Sequence, residues 1–572
     1  MSLDRRVRVA LVLATSVLTG GAALSVLAPG ARASGGPAQI LTATDVVAVI
    51  RAAAQAISDN TMAVAVVDRA GTILGVYARP GADVHTPDIA VSLARTTGYF
   101  SNDQAPLSSR TVRFISGIHS PPGIKNQPNA ALYGVENINR GCQLDVLGDA
   151  IFNTPIDRPR SLAGTFLGLA CRASDTSGCA VAGPIQGLDG NPIFGLGITT
   201  GKSDLLDSNN GSEAAINPGG VPLFRNSQLI GGVGVAGVSY DRAEYAALLG
   251  AVTNGQGITT AIDFPQPLPP PGAIFIDGLR LPFVNASANQ PPAGSSPGSF
   301  EQGRLLFTPR DGRQAPEGYL IGPRASQLPG GLTLDDVKQV VNQGVDQANK
   351  TRAQVRLPYG LTARFIIAVT DQGGNILAEY RMADALFDAV DVVPSKARNA
   401  YYFSTREGYE VLRSYVQAAP YDNYSWEPEP PAGQGWALTS RTISFGGQPL
   451  FPPGIDAFNP ATPGPWFDLF VYDTLNPCTE GSGPSRGGNR AFLNQNGITW
   501  FPGSAPLYKN GQLVGGVGVS GDGVEQNDLV SAAADAGFEP PAALRVDNSV
   551  IRTRLGDVRL PWLKFPRNPE QP

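Results

Sequence analysis

The sequence predicts an α+β protein assembled from two related halves, and three observations lead there. A 16-residue phrase occurs twice, as Pro222-Leu-Phe-Arg-Asn-Ser-Gln-Leu-Ile-Gly-Gly-Val-Gly-Val-Ala-Gly237 and as Pro506-Leu-Tyr-Lys-Asn-Gly-Gln-Leu-Val-Gly-Gly-Val-Gly-Val-Ser-Gly521, identical at eleven positions. Internal repeats of this kind define the architecture before any single element does. Each half also alternates helical and hairpin patterns in the same order. Finally, the 572 residues are 42% apolar and only 16% charged, with 68 Gly and 49 Pro. That composition fits a loop-rich globular protein with well-buried sheets, not a disordered chain. A net charge of −5, without a basic run interleaved with aromatics, argues against a nucleic-acid partner.

The elements follow in order. Leu41-Thr42 precedes apolar positions Val46, Val49, Ile50 and Ala53, and Leu332-Thr333 precedes Val337, Val340 and Val341. The spacing is helical, with Thr42 and Thr333 as N-caps and Asp45 and Asp336 in the first turn. Two β-rich runs joined by an Asp-x-x-Gly turn come next, around Asp68 and Gly71 and around Asp371 and Gly374. Asp can bond the turn backbone and Gly can take positive φ. A second helix carries Ser92-x-Ala-Arg95-x-x-x-Tyr99-Phe100-Ser101 and Ser395-x-Ala-Arg398-x-x-x-Tyr402-Phe403-Ser404. Ser109-Arg110-Thr111 and Ser440-Arg441-Thr442 read as a further strand. The repeated phrase is a hairpin with an Asn-Ser or Asn-Gly turn. Its glycines leave one sheet face bare, which calls for a closely packed neighbour, most simply a helix.

Domain limits follow from these landmarks: residues 40–284 and 331–567, separated by a Pro/Gly/Ser-rich stretch at 285–330 that reads as an extended linker. Long insertions at about 120–215 and 447–500 hold all four cysteines, and loops of this length are usually functional or interfacial. Residues 1–33 have the layout of a secretory signal peptide: Arg5, Arg6 and Arg8, an apolar stretch from Val9 to Ala28, and Ala31-Arg-Ala33 before Ser34. The expected location is therefore secreted, periplasmic or cell-envelope, with no membrane span after cleavage. Arg5-Arg6 leaves the twin-arginine route open beside the general one. Cys142, Cys171, Cys179 and Cys478 allow up to two disulfides in an oxidising compartment, with three connectivities. Cys171 and Cys179 flank a polar loop and are the expected pair.

These residues resemble the GlcG/HbpS-like family, some members of which are extracellular haem-binding proteins; a related domain is appended to corrinoid adenosyltransferases. The resemblance rests on the Leu-Thr helix, the Asp68/Asp371 hairpin, Tyr380-Arg381-Met382, Pro394-Ser395-Lys396-Ala397, and the glycine-rich closing signature led by Gly219-Gly220-Val221-Pro222. The second half drifts there to Gly503-Ser504-Ala505-Pro506, and Leu93 stands where the second half has Lys396. The resemblance covers two cores and neither the insertions nor the linker. It implies two tandem domains, each an antiparallel or mixed sheet flanked by helices, and a haem or other small planar ligand. It also implies a tendency to form oligomers or to take a protein partner through the insertions.

The candidate site residues are few. His85 and His119 are the only histidines. His85 follows the first hairpin, at the rim the family uses for its pocket, and an imidazole can ligate haem iron. In the second half Met382, Lys396 and Tyr402 are the available ligands. Arg95, Arg110, Arg398 and Arg441 could grip propionates in a bidentate fork, or could tie a helix to the neighbouring loop. Tyr99 and Tyr402 could stack on a planar ligand or fill the core. No catalytic residue is assigned. Lys396 with the paired arginines would be the chemistry of an alternative small-molecule enzyme. A second alternative is a structural protein with closed pockets that binds through its insertions. The expected function is exported, non-enzymatic haem sequestration or sensing.

Overall fold

The computed structural model describes residues 39–83, 86–119, 185–186, 192–193, 217–226, 228–252, 259–260, 275–276, 279–306, 308–358, 360–448, 450–452, 462–470 and 498–564. All four cysteines, His85 and the leader lie outside them. The fold is α+β, made of antiparallel sheets and helices.

In the first half, Thr42 caps α1 (Ala43–Ala56) through a capping box in which Asp45 N donates to its hydroxyl and Asp45 accepts from Thr42 N at 2.7 Å. This satisfies two backbone donors that no helical carbonyl reaches. Val46, Val49, Ile50 and Ala53 form the buried face. Strands β1 (Ala63–Asp68) and β2 (Ile73–Ala78) form the first hairpin, followed by α2 (Thr86–Phe100) and α3 (Ser109–His119). The closing hairpin is β3 (Gly220–Arg225) and β4 (Gln228–Ala236), followed by α4 (Tyr240–Ala251). A short strand, β5 (Arg304–Leu305), completes a sheet ordered β5-β2-β1-β4-β3, with Thr259–Thr260 on its far edge.

The second half follows the same course. It consists of β6 (Gly318–Ile321), α5 (Leu334–Ala348), β7 (Phe365–Asp371), β8 (Ile376–Arg381), α6 (Ala389–Ser404), α7 (Arg406–Ala418), α8 (Ser440–Gly446), β9 (Ser504–Lys509), β10 (Gln512–Gly521) and α9 (Val524–Ala534). Its sheet is ordered β6-β8-β7-β10-β9.

Two expectations change. The Ser-Arg-Thr triplets are helix starts, not strands. Ser108 accepts from Thr111 N at 3.2 Å and Thr439 from Thr442 N at 3.3 Å, so a hydroxyl just before each triplet caps α3 and α8. The stretch 285–330 is also more than a connector. β5 pairs with β2 of the first sheet and β6 with β8 of the second, and Gly312 N donates to Leu41 O at 2.7 Å. An edge strand drawn from the connector covers backbone groups that would otherwise stay unpaired.

The glycine-rich strands are packed as their bare face requires. A Cβ on Gly232 or Gly234 would lie 2.3 Å or 2.1 Å from the carbonyl oxygens of Ala94 or Ala90 in α2. On Gly516 or Gly518 it would lie 2.1 Å from those of Ala397 or Val393 in α6. Helix backbone thus rests directly on strand backbone. A single core cluster joins the halves: Tyr99, Phe100, Leu107 and Ile115 pack with Leu386, Phe387 and Phe501. A second, aromatic cluster around Tyr409, Trp426, Trp466 and Trp500 is built from α7, from Ser425–Glu427 and from described parts of the second insertion.

Gly518→Ala is expected to destabilise the fold by roughly 3 kcal/mol or more, because helix and strand must separate. Gly511→Ala provides the contrast. It has φ +75 and open space around it, so it should cost only about 1–2 kcal/mol of left-handed strain. Equal losses in thermal melts would contradict the close-packing account.

Candidate functional site

The recurring arginines are occupied within the fold. Arg95 Nε donates to Gly71 O at 2.9 Å and Arg398 Nε to Gly374 O at 2.7 Å. Each is about 1% exposed and ties its helix to the Asp-x-x-Gly turn. The turn itself is held by its aspartate: Asp68 accepts from Thr72 N, and Asp371 from Gly373 N and Asn375 N. Arg110 forms a bidentate pair with Glu244 at 2.9 and 3.0 Å, and Arg441 pairs with the buried Asp528. Tyr99 and Tyr402 are buried in the core. Tyr99 stands against Phe387 with ring centroids 5.9 Å apart, and its hydroxyl lies under Gly71. Met382 is buried too, its amide bonded to Phe365 O. Of the two readings open for the arginines, the contacts seen are those that tie helix to turn and to neighbouring carboxylates. His85 lies outside the described residues, as does the side chain of His119.

Lys396 is fully buried. Its Nζ donates to Pro502 O at 2.7 Å and Val519 O at 2.8 Å and sits 4.4 Å from the centre of the Phe501 ring. Burial drives its pKa well below the ordinary lysine value, against the pull of Asp528 and Asp388. Two carbonyls and an aromatic face thus surround the amine.

What the sequence did not mark is a cavity of about 60 Å³ at the seam between the halves. Phe100, Leu107 and Ile115 of the first half face Leu386, Phe501 and Val355 of the second, with Asp388 and Asn527 among the lining residues. Asp388 is 5% exposed and Asn527 2%. One carboxylate oxygen of Asp388 and Oδ1 of Asn527 lack a hydrogen-bond partner. Asn527 Nδ2 is used on Pro502 O. Burial pushes the Asp388 carboxyl up to about 7; Lys396 pulls it down and Asp522 adds to the rise. Asp388 occupies the position that His85 holds in the first half. That alignment is the one signal in the sequence that could have singled it out.

Beside the cavity runs an ionic network across the seam. Arg356 donates to Asp522, Asp384 and Gln104, and Arg69 to Asp384. Asp103 N donates to both Asp384 oxygens at 3.2 Å. Burial raises Asp103, with repulsion from Asp384 adding to the rise, while Arg69 and Arg356 outweigh burial at Asp384 and hold it low. Among the described residues, no group of three or more His, Cys, Asp or Glu side chains could hold a metal ion. Among them, too, no helix is long and apolar enough to cross a membrane.

Residues 332–452 and 470–536, in the second half, match the family model described as "Haem degrading protein HbpS-like". No curated protein matches the chain. Two solved structures are similar at 19% identity and TM-score 0.20. "Crystal Structure of PduOC:Heme Complex" covers 36% of this chain and 94% of its own. A Klebsiella pneumoniae protein, ORFY, of family model DUF336, covers 37% and 94%.

Two outcomes test the site's electrostatics. Arg356→Met should destabilise by about 3–5 kcal/mol in denaturant melts, because it leaves the buried Asp522 carboxylate without its guanidinium partner. Asp388→Asn should do the opposite. A carboxyl raised from 3.8 to about 7 costs stability above pH 7. The folded state takes up the proton first, so the cost fades as pH falls from 7 towards 4. The substitution should therefore raise stability by roughly 2–4 kcal/mol at pH 8, and the gain should shrink at pH 5. A gain independent of pH would mean Asp388 is not raised.

Proposed function

Taking the HbpS-like domain of the second half as the premise, we propose that this chain is an exported tetrapyrrole-binding protein that sequesters or senses haem without turning it over. The observation that carries this reading is the family match over residues 332–452 and 470–536. The charged, apolar-capped segment at residues 1–33 supports export.

The seam cavity is not itself a haem pocket. The seam cavity of about 60 Å³ is several-fold smaller than the roughly 300–1,000 Å³ of small-molecule pockets. None of its lining residues is a usual axial ligand, and Met382, Lys396 and Tyr402 are buried and engaged. We therefore assign no iron ligand in the second half. His85 in the first half remains the residue by which iron would be held.

A second reading is favoured by the same geometry: a structural or interaction protein whose pockets have closed around internal contacts and whose insertions meet the partner. A haemin titration of the mature, tag-free chain separates the two. The haem reading expects saturation at one equivalent per chain with a shifted Soret band, a band altered in His85→Ala, and absorbance that stays constant with added reductant. A featureless, non-saturating response would favour the interaction reading. Loss of haem absorbance on reduction would make the protein an enzyme.

A further inference from the structure

The cavity at the seam has a polar end that nothing in the fold completes. Asp388 and Asn527 are both more than nine-tenths buried, both line it, and each leaves an acceptor oxygen without a donor. An unmet buried acceptor costs about 1–3 kcal/mol, so the pair favours a molecule that brings an N–H or O–H. The nearest cation cannot supply it, because Lys396 is spent on the carbonyls of Pro502 and Val519 and lies over the Phe501 ring. The amide of Asn527 donates one N–H to Pro502 O at 3.3 Å. Apolar walls come from both halves, Phe100, Leu107 and Ile115 on one side and Leu386 and Phe501 on the other, with Gln354 and Ser520 as the further polar lining. The described site thus has two open acceptors in a lining that is mostly hydrocarbon.

We propose that this cavity is a binding site for a small hydrogen-bond donor with a short apolar body, a primary alcohol or amine of about two to four heavy atoms, held by Asp388 and Asn527. The size limit follows from about 60 Å³ of space within the cavity. The proposal does not depend on the tetrapyrrole reading. Its two walls come from different halves, so it exists only when both are folded together.

The test uses the mature full-length chain with n-propanol and n-propylamine as probes, followed by saturation-transfer NMR. Saturable transfer to either probe is expected, and the stronger of the two identifies the headgroup. Above pH 8, where Asp388 is ionised, Asp388→Leu should weaken binding by roughly ten- to a hundredfold, the effect of losing a hydrogen bond to a charged acceptor. Ile115→Phe, which fills the cavity without touching the acceptors, should abolish it. Should Asp388→Leu fail to fold, Asn527→Leu and Ile115→Phe decide the matter alone. The proposal is overturned by absence of saturable transfer for both probes, which would mean the acceptors are met by water, or by unchanged binding in Ile115→Phe.

Discussion

Everything in the second half is positioned by the contact between α6 and β10, in which helix carbonyls rest against a strand stripped of side chains. At Gly516 and Gly518 there is no room for even a methyl group. That proximity brings Lys396 within reach of the Val519 carbonyl on the strand and the Pro502 carbonyl at its approach. It also sets Arg398 over the turn of the neighbouring hairpin. The same packing in the first half, α2 on β4, places Arg95 on the Gly71 carbonyl. Wider spacing would leave each of these buried cations short of its acceptors, a large cost in a low-dielectric interior.

The seam inherits its geometry from this packing. The end of α2 presents Tyr99 and Phe100 to the segment that leads into α6, and Phe387 N donates to Tyr99 O at 3.0 Å. Arg69 and Arg356 bridge the halves through the shared Asp384. With three carboxylates around two guanidiniums, the strain falls on Asp103, pushed up by burial and by Asp384, and on Asp522, raised by burial against the pull of Arg356. The cavity lies beside this network, in the part of the shared core where apolar side chains from both halves face Asp388 and Asn527.

Much of this order was legible in the chain. The capping threonines, the Asp-x-x-Gly turns and the bare glycine faces follow from local chemistry, and each appears where the pattern put it. Ser-Arg-Thr misled because a short polar triplet has no period of its own; the capping hydroxyl one residue earlier decides its structure. The role of Arg95 and Arg398 was undecidable from sequence, since a guanidinium that grips a ligand and one that grips a turn carbonyl look alike in a single chain. Asp388, marked only by its alignment with His85, and Asn527 went unread for a different reason. They meet only through tertiary packing, and their neighbours Phe100, Leu107 and Ile115 come from the other half of the chain.

The central claim is that the two halves fold as one unit with a shared core and a shared site. Scanning calorimetry of the mature chain tests it most directly. A single endotherm with calorimetric and van't Hoff enthalpies in agreement is the predicted result. Two separable transitions, one per half, would contradict it.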